Sequence, residues 1–247
     1  MSTRKRLTKT KRTQIDRETD HLIDTKFGMK RIEPITDTQD ILFEAYQNGK
    51  NILAVGSAGT GKTYISLYLA LKDVMAKNNY KEIIIIRSSV QSREQGHMPG
   101  DAKEKMAHFE APYIDIVNDL FERADAYGIM KQKNMIRFMS TSFIRGLTFD
   151  NALILVDECQ NMRWDELRTI MTRVGEGSRI ILCGDTKQDD LACSKNRLDV
   201  SGLRHFKRVI DKMESDCFET VEFTVDDIVR SGIVKSFIIA EEMLEVA

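Results

Sequence analysis

The stretch "VGSAGTGKTYIS", Val55 to Ser66, decides the fold. Within it "GSAGTGKT", Gly56 to Thr63, meets G-x-x-x-x-G-K-[ST] at every fixed position. The glycines let backbone N–H groups of Gly56, Ser57, Ala58, Gly59, Thr60 and Gly61 close around phosphate with no Cβ in the way. Lys62 is placed to neutralise β- and γ-phosphate oxygens, and Thr63 to hold Mg²⁺ through its hydroxyl. A helix beginning near Lys62 turns its positive end toward the same anion. The flanks agree: "NILAVG" reads as a short buried strand, and "KTYISLYLALKDVMAK" as a helix. A nucleoside triphosphate cradle is the reading, with Mg²⁺ as its expected metal.

Outward from the loop, apolar runs and helical patterns alternate. "EIIIIRS" is a β-branched run of the kind that is covered on both faces, and "ALILVD" and "RIILCGD" repeat it. "RWDELRTIMTRVGEG" reads as a helix with Leu167, Ile170, Met171 and Val174 on one side, and "NMIRFMSTS" and "TVEFT" as further strands. Upstream, "ITDTQDILFEAYQNG" has helical apolar spacing at Ile41, Leu42, Ala45 and Tyr46. Strands alternating with helices predict an α/β fold, a mainly parallel sheet with helices on both faces, whose ligands bind beyond the carboxyl ends of the strands. Residues 1–31 are expected as a basic, flexible arm and residues 32–247 as one domain.

Each remaining polar motif follows a strand. In "LILVDECQ", Asp157 is placed to hold Mg²⁺, and Glu158 to orient and deprotonate an attacking water. In "CGDTKQ", Asp185 and Gln188 stand at the next strand end; the Gln amide both donates and accepts, so it can touch γ-phosphate or water. Gln39, shortly before the first strand, reads either as a residue pairing with an adenine edge or as a solvated helix-start residue. Arg87, Arg145, Arg173 and Arg230 each lie near a strand or helix end, where an arginine binds backbone phosphate or stabilises a γ-phosphoryl group.

Composition sets the boundaries. The 247 residues, 42% hydrophobic and 30% charged, are those of an ordinary globular chain. No apolar run approaches the ~20 residues of a membrane span. Four cysteines lack C-x-x-C spacing, so a zinc site is not expected and a reducing cytoplasm is. The net charge is −1, yet the first twelve residues carry six basic groups and no acid. That tail is either a solvated terminus or an arm that gathers nucleic acid and releases it as salt rises.

Assembled, these pieces resemble the PhoH-like ATPases, in particular the compact versions met in bacteriophages. "RSSVQSREQGHMPGD" is similar to that family's Arg-led segment ending in Pro-Gly-Asp, and "IRGLTFDNALILVDECQNM" to its approach to an Asp-Glu-x-Gln-Asn box. "MTRVGEGSRIILCGDTKQDDL" and "DIVRSGIVKSFIIAEE" resemble its Gly-Asp-x-x-Gln block and its closing Val-Arg segment. The resemblance implies a RecA-like P-loop core related to the first motor domain of superfamily 1 helicases, ATP hydrolysis, ring-shaped assembly and a link to RNA.

Three functions stay open. The first is an oligomeric ATPase, a ring with a hexamer among the options, that remodels or travels along single-stranded RNA or DNA, with Arg87 and Arg145 as strand contacts. Its ATP site lies at the subunit interface, and Arg173 or Arg230 is supplied by a neighbour. Glu158, Lys62 and Gln188 complete the expected catalytic set. The second is an ATP-dependent switch that binds a host or phage protein. The third, a small-molecule kinase, sits poorly with Glu158 beside Asp157, a pairing that favours water as acceptor.

Overall fold

The computed structural model describes residues 28–76, 80–88, 102–185, 201–214 and 216–245. Among them six strands form one sheet: β1 (Asn51–Gly56), β2 (Glu82–Arg87), β3 (Ile136–Ser140), β4 (Ala152–Asp157), β5 (Arg179–Gly184) and β6 (Phe218–Phe223). Their spatial order is β3-β2-β4-β5-β1-β6, and all five pairings are parallel. β5 separates the phosphate-loop strand β1 from the Asp-Glu strand β4, the RecA-like arrangement that the family resemblance implies.

The four-isoleucine run of β2 illustrates why these segments are strands. Side chains alternate across a pleat, so a continuous apolar run needs a core on each side. Ile83 and Ile85 enter one core with α1 (Asp37–Gln47), α2 (Lys62–Met75), α3 (Ala102–Leu120) and α4 (Ala126–Gln132). Ile84 and Ile86 enter the other, with α5 (Trp164–Met171) and α6 (Leu203–Ile210). Helices thus cover both faces. A last helix, α7 (Gly232–Glu245), follows β6 and a short 3₁₀ turn at Val225–Asp227.

Local chemistry sets the ends. Thr36 caps α1 by accepting from Gln39 N at 3.3 Å, with Asp37 and Asp40 in the first turn, where the helix dipole favours acids. At the other end of α1, buried Arg179 donates to Ala45 O at 3.2 Å and to Lys50 O at 2.5 Å, and its guanidinium lies 4.0 Å from the Tyr46 ring centroid. β5 is thereby tied to the helix that precedes β1.

Three details differ from the sequence reading. Ile41 is 48% exposed, because the buried stripe of α1 runs through Gln39, Leu42, Phe43, Ala45 and Tyr46. α5 stops at Met171, and Val174 instead bridges to Phe149. Residues 28–31, assigned to the arm, lie on the domain: Lys30 N donates to Leu120 O at 2.8 Å, and Met29 packs on the core. Residues 1–27 fall outside the described residues. Among the described residues no helix is long and apolar enough to cross a membrane.

β6 crowds the phosphate loop. Gly56 has a φ of +127°, and a Cβ there would lie 1.9 Å from Phe223 O. Gly56→Ala is therefore expected to push β6 off β1 and to cost about 2 kcal/mol or more in urea unfolding. A variant as stable as the parent would mean that the close approach is dispensable.

Candidate nucleotide site

The phosphate loop leaves β1 at Gly56 and enters α2 at Lys62, with Gly61 as N-cap at φ 86°, a left-handed conformation that favours glycine. Lys62 Nζ donates to Gly56 O (2.9 Å), Ser57 O (2.6 Å) and Thr60 Oγ1 (3.2 Å), which holds the ammonium at the centre of the loop. Burial lowers its pKa, opposed chiefly by the Asp185 charge. The loop is braced from outside: Ser57 N donates to Phe223 O at 3.2 Å, and Val229 N to Gly59 O at 3.1 Å.

Gln39 braces it from below. Its Nε2 donates to Thr60 O at 3.0 Å and its Oε1 accepts from Ile35 N at 2.8 Å, so this buried amide orients the loop backbone. These two bonds use one N–H and one lone pair of an amide that is 2% exposed.

Asp157, at the end of β4, is buried and bonded through both oxygens. Oδ1 accepts from Thr63 Oγ1 at 2.8 Å, and Oδ2 accepts from the phenol of Tyr113 at 2.8 Å. Thr63 and Asp157, expected from sequence as the metal pair, are thus adjacent. They are hard oxygen donors, the type Mg²⁺ takes. Among the described residues no group of three or more His, Cys, Asp or Glu could hold a metal unaided. A cation here would complete its shell from phosphate and water, which is how Mg²⁺ is commonly held.

Glu158 adopts a left-handed backbone, φ 53° and ψ 41°, a conformation that costs a β-carbon residue about 1 kcal/mol or more. Gln160 holds it there: its Nε2 donates to Glu158 Oε2 at 2.6 Å, while its Oε1 accepts from Asp185 N at 2.9 Å. The ends of β4 and β5 are thereby clamped at fixed spacing. Burial and then the Asp157 charge raise the Glu158 pKa, and Arg87 pulls against both. A carboxylate so poised is suited to take a proton from water.

These groups surround one cavity of about 460 Å³, lined by the phosphate loop, Asp157, Glu158, Asp185, Tyr64 and Arg230. Arg230, expected to reach a neighbouring subunit, is instead set against the loop of its own chain, where its stem lies against Gly59. Arg173 stands at the other end of the sheet, before β5, donating to Leu147 O at 3.2 Å; its position faces away from this cavity. Arg87 ends β2 beside Asp157 and Ser140, its guanidinium 5.5 Å from the Phe109 ring centroid. Arg145 is exposed beyond β3. Gln188 lies outside the described residues.

Sequence reasoning missed Tyr113 and Gln160. Gln160 had a signal, its place two residues after Glu158. Tyr113 had none: it lies 44 residues from its partner Asp157, on a helix interrupted by Pro112. Tyr113→Phe would leave Asp157 Oδ2 without its buried donor. The Mg²⁺ concentration needed for binding of a fluorescent ATP analogue should then rise about 10- to 100-fold. An unmoved Mg²⁺ dependence would reduce Tyr113 to packing.

The comparisons with known proteins agree with the motifs. The PhoH-like protein family profile matches residues 31–242. A PhoH-like protein of Bacillus subtilis (strain 168) is 32% identical over 188 residues, 76% of this chain and 56% of that protein. A PhoH-like protein of Synechocystis is 30% identical over 203 residues, 82% of this chain and 60% of that one. The chain therefore spans somewhat over half the length of these relatives. Among solved structures, the large terminase of a thermophilic bacteriophage is similar at 14% identity and a TM-score of 0.49, over 83% of this chain and 50% of that one. With the family profile covering the whole span from the residue before Ile32 into α7, the chain belongs to the PhoH-like protein family.

Proposed function

We propose that this chain is a Mg²⁺-dependent ATP hydrolase that works as a ring-shaped homo-oligomer on single-stranded nucleic acid, RNA in preference to DNA. One observation carries the hydrolase reading: the Thr63–Asp157 pair and the clamped Glu158 meet at the mouth of the phosphate loop. The catalytic domain is taken to begin at about residue 28, with the basic residues ahead of it as an arm for nucleic acid.

In the proposed reaction the loop N–H groups and Lys62 hold the β- and γ-phosphates. Glu158 accepts a proton from water as the water oxygen bonds to the γ-phosphorus. The bond from that phosphorus to the β–γ bridging oxygen breaks, and ADP and phosphate leave. Thr63 and Asp157 would hold Mg²⁺, which would neutralise charge on the phosphate groups. Arg230, beside Gly59, stabilises charge on the transferring group from within its own chain. Arg173, facing away, is then the candidate for a neighbour's site. Gln188 remains the proposed γ-phosphate contact after β5, and Gln39 the adenine contact.

What supports assembly is α7. It begins two residues after Arg230 and displays Ile233 and Phe237 at 80% and 67% exposure, apolar surface that a neighbour would cover. The same helix favours the rival reading, an ATP-driven switch that grips a host or phage protein.

Steady-state hydrolysis with and without single-stranded RNA tests the proposal. Lys62→Ala should abolish turnover, and Glu158→Gln should lower it about a hundredfold or more while ATP still binds. Arg230→Ala should also lower turnover with binding retained; unchanged turnover would remove it from the site. Stimulation by RNA that fades with salt is the expected result. A basal rate indifferent to RNA and DNA would leave the protein switch as the better reading.

A further inference from the structure

Strand β3 lies at the edge of the sheet and ends in a 3₁₀ turn, Thr141–Phe143. Ser142 N donates to Ser140 Oγ at 3.3 Å, and Thr141 Oγ1 donates to Glu166 Oε1 on α5 at 2.5 Å, so the turn is fixed at both sides. The next residue, Ile144, is fully buried in the core beneath α5 and accepts from Leu147 N at 3.2 Å. Burying Ile144 commits its two neighbours to the surface. Phe143 is 61% exposed, and Arg145 is exposed and makes no ion pair with any described residue.

Beside them lies a cleft of about 270 Å³ lined by Thr141, Ser142, Arg145, Arg163, Glu166 and Thr169. Its acids are already engaged. Glu166 accepts from Thr141 and from Arg163 N, and Asp165, also at the cleft, sits 3.4 Å from Arg163. What the cleft offers a ligand is one guanidinium that pairs with no carboxylate among the described residues, beside the exposed ring of Phe143. A protein partner would call for a broader apolar patch than one phenylalanine among Ser, Thr and Arg. Base stacking with backbone phosphate nearby needs this combination and little more.

We infer that Phe143 is a stacking platform for a base of single-stranded nucleic acid, with Arg145 holding the adjoining phosphate. The inference rests on the nucleic-acid reading above and deepens it.

Fluorescence anisotropy of labelled oligo(U) and oligo(dT), titrated with the full chain and its variants, tests this. Phe143→Ala should weaken both by about tenfold, with the melting temperature of the parent, and Phe143→Trp should keep the affinity. Arg145→Ala should lower the slope of log affinity against log salt by about 0.7. If the parent binds and Phe143→Ala binds within about twofold of it, the platform is overturned and the nucleic-acid reading stands. Weakening for oligo(U) alone would assign the contact to the 2′-hydroxyl and overturn stacking. A parent that binds neither strand overturns both readings. Self-association lost in Phe143→Ala, with strand binding intact, would make the patch a protein interface and overturn the platform.

Discussion

The carboxylate of Asp157 is the point on which the site depends. It is buried at the end of a wholly buried strand, so each of its oxygens needs a donor. Thr63 on α2 serves one and Tyr113 on α3 the other. One side chain thereby fixes the first turn of the phosphate-loop helix relative to β4, and the middle of α3 relative to both. The adjoining Glu158 inherits that placement. Its left-handed backbone and its bond from Gln160 carry the restraint on to the end of β5.

Strand order then sorts the chemistry along the carboxyl rim. β6, β1, β5 and β4 supply Phe223, the phosphate loop, Asp185 and the Asp-Glu pair. β2 and β3, on the far side of β4, end in Arg87 and the Phe143–Arg145 turn. The half of the rim that carries the phosphate loop and the half that ends in half-buried Arg87 and exposed Phe143 and Arg145 meet at Asp157 and Glu158. A parallel sheet produces this separation cheaply, because every strand end faces the same way.

Much of this was legible in the sequence, and for identifiable reasons. "GSAGTGKT" constrains backbone and side chain together, and "EIIIIR" can be little other than a strand buried on both faces. Thr63, in the first turn of the helix that follows the phosphate loop, and Asp157 and Glu158, at the end of β4, line one cavity. What escaped reading depends on distance in the chain. The side-chain bond of Tyr113 to Asp157 leaves no local pattern, and nothing local says that residues 228–230 fold back on Gly59, so the sequence offers Arg230 beside Arg173 as a candidate for a neighbour's site. Ile41 failed for a different reason: helical spacing defines a stripe, but packing chooses how far it rotates.

The position of β1 has a consequence for how the protein is made. Both of its partners come late: β5 at residues 179–184 and β6 at residues 218–223, whereas β1 itself ends at Gly56. At ribosomal speeds of about 5–20 residues per second, β1 waits on the order of ten seconds for its second neighbour. Until β5 emerges both hydrogen-bonding edges of β1 are unpaired, and until β6 emerges the phosphate loop lacks Phe223 O, the acceptor for Ser57 N. The bracing of the cradle is thus among the last parts of the sheet to be completed.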